Sequence, residues 1–479
     1  MSIRFLSVCL LLFACQPRLI PVPTPSQPAV AQPLPNRDTG WLTRDAPKSF
    51  TVKKGETITL RFIHAGDGTR DIEWKTDAVL KWTTTPSEGS QPLVRPAPFG
   101  FWGTGRPVRT VFQTFPKVSP VTAGDSETFW INNGSGQLSG DRPSLAHRRH
   151  VTPHAYFYVD EQESRLDGGA LERMAAAFEQ RIRPGITAVF GTEAQPGIDG
   201  DARLFVVISP WVGSAPGHQG MLGYFWYRDA IARVADPAHL AHHSNEKEVL
   251  FLSSRLVEER AVTAFGTLAH EYQHLIGFTL KRLTTGREQP EVPWLDEGLS
   301  MVAMDLAGYG TVGGDPFVQQ DIDAYRQRPA AYSLTEWAEN PGGYGYGLSY
   351  LFIRHLVQRH GLGIIKDLMQ EPERGQVGLE RVLQRYGTDL ASSFIDWAIA
   401  SDDPLVGMAL ATETPTGTLT MRPWSQLVVT LTASRDAERP LLVSAREQAV
   451  RVVVERSPQG RSDGQTGLNG HSIVRGIKF

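Results

Sequence analysis

Cysteine is nearly absent from this chain: 479 residues hold two, Cys9 and Cys15, both at the very start. No pair of thiols exists after residue 15, so an internal disulfide scaffold is excluded for the body of the protein. Charge of one sign is also lacking. A formal net charge of −3 gives no argument for nucleic acid or for an anionic membrane surface as partner. The apolar run Phe5–Ala14 is too short to span a bilayer. No internal repeat stands out. What is present is a hydrophobic content of 41 %, that of a globular protein, in a chain long enough for roughly two to four domains.

Arg4 ahead of Phe5–Ala14 makes residues 1–15 read as an export signal. Its end, Leu12-Phe13-Ala14-Cys15, resembles a bacterial lipobox, which implies cleavage before Cys15 and a lipid on its thiol, anchoring the chain to a membrane of the cell envelope. Plain secretion is the alternative. Residues 16–40 are proline-rich and are expected to form a linker without helix or sheet; twenty such residues extend ~60 Å at ~3.1 Å each. Short alternating runs, Thr57-Ile58-Thr59-Leu60 and Thr128-Phe129-Trp130-Ile131, separated by turns such as "HAGDGT" and "NNGSGQLSGD", predict a β-rich sandwich over 41–153. Helical patterns dominate 154–403, "ALERMAAAFEQRI" among them. Strand-like composition returns in 404–479, which predicts a small β domain with a polar tail. The expected class is α+β, with several domains.

The chemistry is concentrated in "LAHEYQHLIG", Leu268–Gly277. Its flanks contain no proline and are rich in Ala, Leu and Phe, so a helix is predicted. Residues four apart share a helix face, which lets His270 and His274 close on one metal ion. Glu271 then points to the side of that ion, where a water would be activated. This is the His-Glu-x-x-His pattern of zinc hydrolases. A metzincin would need a third His at position 280, and Leu280 cannot bind zinc. Further on, Pro293 opens a second predicted helix, "WLDEGLSMVAMDLAG". Glu297 there has apolar neighbours: Trp294, Met301 and, two turns on, Met304. A carboxylate so placed is costly unless it holds a cation. Asp296 is adjacent, and spacing alone does not choose between the two.

His270-Glu271-x-x-His274 followed by Trp294-Leu295-Asp296-Glu297-Gly298 resembles the gluzincin class of zinc peptidases. More narrowly, the chain is similar to the hyicolysin family of secreted bacterial metallopeptidases. The similarity runs from "HAYFYVDE" (from His154) through "FGTEAQPGIDGD", "GYFWYRD" and "SNEKEVLFLSS" to "YGYGLSYLFIRHLVQRHG" (to Gly361). It implies a zincin-like catalytic domain, one catalytic Zn²⁺ on His270, His274 and Glu297, Glu271 as general base, and a protein or peptide substrate. It also implies a tyrosine after the second helix as donor to the oxyanion. Tyr344-Gly345-Tyr346-Gly347 fits that setting, which selects Tyr344 over Tyr346 and Tyr350. Aminopeptidases of the class carry a Gly-x-Met-Glu-Asn segment; it is missing here, which favours internal cleavage. A catalytically weak zincin-like binding module, or a zinc hydrolase of a non-peptide substrate, are the competing readings.

Weaker features complete the list of expectations. "SNEKEVLFLSS", Ser244–Ser254, reads as the edge strand on which a peptide would lie. Asp199 and Asp201 flank a glycine and could bind calcium, although a turn is the simpler expectation. His218, His242 and His243 are expected in solvated loops without metal.

Overall fold

The computed structural model describes residues 37–42, 48–52, 57–76, 125–401 (except 165, 219–220 and 312), 405, 416–432, 439–445 and 450–457. Residues 1–36, which hold the expected export signal with Cys15 and the proline-rich stretch, and the polar end from 458 lie outside the described residues. No helix among the described residues is long and apolar enough to cross a membrane.

The alternating runs at 57–60 and 128–131 fall in β3 (Thr57–His64) and β5 (Ser126–Asn132), accompanied by β1 (Arg37–Leu42), β2 (Lys48–Val52), β4 (Arg70–Thr76) and β6 (Asp141–Val151). Then come β7 (Ala155–Asp160), the helices α1 (Gly168–Ala177) and α2 (Arg183–Phe190) joined by a π turn, β8 (Leu204–Ser209), β9 (Gly223–Phe225) and β10 (Val249–Ser253). Eight helices run in series after these. They are α3 (Ser254–Glu259), α4 (Ala261–Thr285), α5 (Pro293–Leu306), α6 (Pro316–Gln327), α7 (Tyr346–His360), α8 (Gly363–Gln370), α9 (Gly375–Arg385) and, completing the run, α10 (Leu390–Ala400). The chain closes with β11 (Thr416–Met421), β12 (Ser425–Thr432), β13 (Arg439–Ala445) and β14 (Val450–Ser457). The result is a mixed α/β protein with several sheets.

One sheet has six strands in the order β5-β6-β7-β8-β10-β9. β7, β8 and β10 run parallel and every residue in them is buried, as expected of central strands covered on both faces. β9 pairs antiparallel with β10 and ends the sheet. Helix α4 packs against β9 and β10. The expected edge strand within Ser244–Ser254 is therefore interior, and the edge is the three-residue β9. The apolar continuity of Val249-Leu250-Phe251-Leu252 already belongs to a strand buried on both sides.

Two domain boundaries expected from composition do not coincide with the strand ladders. β5 and β6, placed by sequence in the N-terminal β region, pair into the six-stranded sheet through β7. The terminal regions are not separate β modules either. Their strands alternate in two four-stranded sheets, β1-β14-β3-β12 and β11-β4-β13-β2. Leu60, Phe62, Ile72 and Trp74 from one end share a core with Leu427, Val429, Val443, Val452 and Val454 from the other. Residues 37–40, assigned by sequence to the linker, begin β1 and pair with β14. An alternating pattern specifies a strand and its buried face, but not its neighbour.

The end of α4 is tied down by a buried cation. Nζ of Lys281 donates to the carbonyls of Glu371 (2.6 Å) and Glu373 (2.7 Å) and sits 3.1 Å from Oε2 of Glu291. Glu291 precedes α5 and also accepts from the backbone N–H of Gly375 (2.7 Å). Lys281→Met should lower stability by about 3 kcal/mol, because it strands the Glu291 charge in the interior. Urea titration measures this, and an unchanged midpoint would make the contact dispensable.

Candidate metal centre

Helix α4 spans twenty-five residues and ends at Gly286, whose φ of +67° closes the helix in the left-handed conformation that glycine adopts freely. Helix α5 begins with Pro293 at its first position. The two helices pack against each other and bring Glu297 over the His270–His274 face. Oε2 of Glu297 lies 2.9 Å from Nε2 of His270 and 3.6 Å from Nε2 of His274. One donor atom from each of the three residues falls within 4.8 Å of the others, and this is the group of three such ligands found among the described residues. Zinc–ligand bonds of about 2.0–2.1 Å in a tetrahedron put donor atoms ~3.3 Å apart. Two imidazoles and a carboxylate at these separations fit such an ion.

Asp296 faces elsewhere. Its Oδ2 is 3.0 Å from Nδ1 of His274, the ring nitrogen opposite the one directed at Glu297. Neighbouring helix residues project about 100° apart, so one acid reaches the inner nitrogens and the next reaches the outer one. A carboxylate on the far nitrogen of a ligating histidine fixes its tautomer and ring orientation. Sequence reasoning weighed Asp296 only as a rival ligand. Electrostatics follow this arrangement. Burial pushes the Glu297 carboxyl up, but His274 and His270 outweigh it and hold the group at about 2. Burial lowers the His274 imidazole, while Asp296 and Glu297 overcome that and leave it well above its usual range.

Glu271 is buried beside this group, and Oε2 accepts a hydrogen bond from the backbone N–H of Phe225 (2.8 Å). Phe225 belongs to β9, so the carboxylate touches the edge strand itself. Burial raises its carboxyl above the ordinary range, against the pull of His270 and His274.

Of the three tyrosines, Tyr350 is fully buried and its hydroxyl bonds to Asp305 and Thr311, a packing role. Tyr346 is the first residue of α7, with its ring centroid 6.3 Å from that of His270 and 5.2 Å, edge-on, from Trp337. Tyr344, favoured by sequence, packs against Tyr346 at 5.4 Å and folds back over Gly342, whose φ of +78° makes the tight turn. The ring recorded against His270 is thus that of Tyr346, two residues after Tyr344.

Asp199 and Asp201 form a turn and do not converge on a cation. Asp199 Oδ1 accepts from the N–H of Asp201 (2.9 Å), and Asp201 accepts from the N–H of Arg203 (2.9 Å) and the hydroxyl of Tyr156 (2.9 Å). Lys247 lies 3.7 Å from Asp199 and supplies the positive charge. The simpler of the two expectations at this loop, a turn, is the one these contacts describe. His243 is likewise not a solvated loop residue: Nδ1 is 2.9 Å from Asp141 Oδ2, and the ring stacks on Trp130 at 3.8 Å. His242 Nδ1 is 3.1 Å from the Val234 carbonyl.

No family model matches the chain. It is similar to the neutral metalloprotease ShpI of Staphylococcus hyicus, 25 % identical over 228 residues that make up 44 % of this chain and 47 % of that protein. The chain spans about half the length of that relative.

Proposed function

We propose that the chain is an extracytoplasmic zinc-dependent endopeptidase of the gluzincin type, built on a zincin-like catalytic unit. The observation that carries this reading is the convergence of His270, His274 and Glu297, with Glu271 between them and the edge strand. Similarity to a neutral metalloprotease supports it. The export-like start of the sequence supports the compartment.

His270, His274 and Glu297 would hold the ion, with Asp296 orienting His274. Bound zinc supplies Lewis-acid polarisation of the scissile carbonyl and lowers the pKa of a water. Glu271 would accept a proton from the attacking water and pass it to the leaving amine. Its hydrogen bond from the N–H of Phe225 supports a base next to β9, along which an extended substrate would add as a further strand held by backbone hydrogen bonds. A tyrosine hydroxyl at the start of α7 or just before it would donate to the oxyanion. Tyr346 is favoured by its place beside His270, and Tyr344 by its sequence setting.

Elemental analysis with a cleavage assay tests the reading. Wild type should carry one zinc per chain and cut peptides with blocked ends at internal bonds. Glu297→Ala should lose the metal, whereas Asp296→Ala should keep it with about 10–100-fold weaker affinity. Full zinc in Glu297→Ala, with loss in Asp296→Ala, would transfer the ligand role to Asp296. Cleavage confined to free amino ends would replace endopeptidase by aminopeptidase.

A further inference from the structure

Arg422 lies between β11 and β12, in the sheets formed by the two ends of the chain. Its guanidinium is planted in the segment that leads to the tyrosines. Nη1 donates to the carbonyls of Ala331 (2.7 Å) and Glu339 (3.1 Å) and to Oδ1 of Asn340 (3.0 Å). Nε and Nη2 hold Oε2 of Glu336 at 3.2 and 2.9 Å. The base of this arm is itself fixed. Ser425 Oγ donates to the Arg422 carbonyl (2.6 Å), and Trp424 donates through Nε1 to Asp67 (2.9 Å) and accepts at its carbonyl from the N–H of Leu334 (3.1 Å).

From Arg422 the contacts continue inward. Asn340 also clamps Ser333, accepting from its N–H (2.8 Å) and donating to its carbonyl (2.9 Å), and its own carbonyl accepts from the N–H of Gly343 (2.7 Å). Its side-chain nitrogen presses on Gly345, where a Cβ would come within 2.5 Å of it. Trp337 sits between Glu336 and Glu339, both gripped by Arg422, and stands against Tyr346, which stands against His270. The Glu336 carboxylate is 40 % exposed, so the ion pair by itself stabilises little. The consequence of the arrangement is geometric: one planar fork with five donors fixes several acceptors of one segment at once, which an ammonium cannot do.

We propose that Arg422 is a positioning residue through which the terminal β-sheets set the Trp337–Tyr346 segment against the metal centre. Its kinetic consequence rests on the peptidase reading given above; its structural consequence does not.

The test uses the full chain with Arg422→Met and Arg422→Lys, each in wild-type and Tyr346→Phe backgrounds. Arg422→Met should lower kcat about 10–100-fold while KM stays within about twofold, since the loss falls on transition-state contacts. Zinc content should not change, and Arg422→Lys should recover part of the rate. In the Tyr346→Phe background the same substitution should cost less than about twofold, because residues acting through one another are not additive. Hydrogen exchange supplies a readout independent of turnover. The Gly343 amide, held by Asn340, should exchange at least tenfold faster in Arg422→Met while α4 keeps its protection. Equal losses in both backgrounds, or an unchanged kcat, would overturn the proposal, as would unchanged exchange at Gly343. Should Arg422→Met not fold, Arg422→Lys carries the same comparisons. Should the wild type cleave no peptide, the peptidase reading fails, and exchange confined to the 337–346 segment still decides the positioning role.

Discussion

Glu271→Gln should keep one zinc per chain and lose roughly 10²–10⁴-fold in turnover, the usual contribution of a general base. The amide has nearly the shape of the carboxylate, and its Oε1 can still accept from the N–H of Phe225, so β9 keeps its place. What it cannot do is take a proton from water. Zinc stoichiometry and substrate affinity should therefore stay near wild type, and the deficit should lie in kcat. Glu271→Ala separates the two roles of the side chain: it should show the same chemical deficit and, in addition, loosen β9 and raise KM. Near-normal hydrolysis by the purified Gln variant, free of contaminating protease, would remove Glu271 from the mechanism.

Tyr346→Phe should cost about 10²–10³-fold in kcat, equivalent to ~3–4 kcal/mol, if its hydroxyl donates to the oxyanion. The ring remains, so its contacts with Trp337 and Tyr344 persist. An interaction made only in the transition state lowers kcat and kcat/KM by similar factors and leaves KM alone. Tyr344→Phe is the companion variant and should stay near wild type. The reverse outcome assigns the donor to Tyr344, as the Tyr-x-x-Gly setting in the sequence implies. If both variants cleave normally, the donor lies outside this segment.

Much of the candidate metal centre was legible because helical spacing is a strong constraint. Given a helix over α4, His270 and His274 must share a face, and no tertiary information is needed. Asp296 and Glu297 were ambiguous because adjacent residues differ only in direction, which means nothing until α5 is docked on α4. The tyrosines posed the same problem in a glycine-rich turn, where Gly342 and Gly343 both take positive φ and decouple sequence position from direction. Sheet order was the least readable. β9 is three residues long and carries no periodic signal, so the edge was given to its longer neighbour β10. Likewise, Thr57–His64 announces a strand, but nothing in it names β12 and β14 as partners from the far end of the chain.

That last pairing bears on the order in which the molecule can be assembled. Among the described residues, none of β1–β4 pairs in a ladder with another of the four; each pairs with strands that follow residue 415. Trp41 meets Arg451 across a ladder whose two sides are separated by almost the whole polypeptide. During synthesis from the amino end, four amphipathic strands emerge with no hydrogen-bonding partners while the helical and six-stranded part is completed behind them. Such long-range closure is slow, and open strand edges invite wrong pairings meanwhile. The early strands therefore need shielding during biogenesis, and trimming the last strands would not remove an appendage but would unzip both sheets from the opposite end.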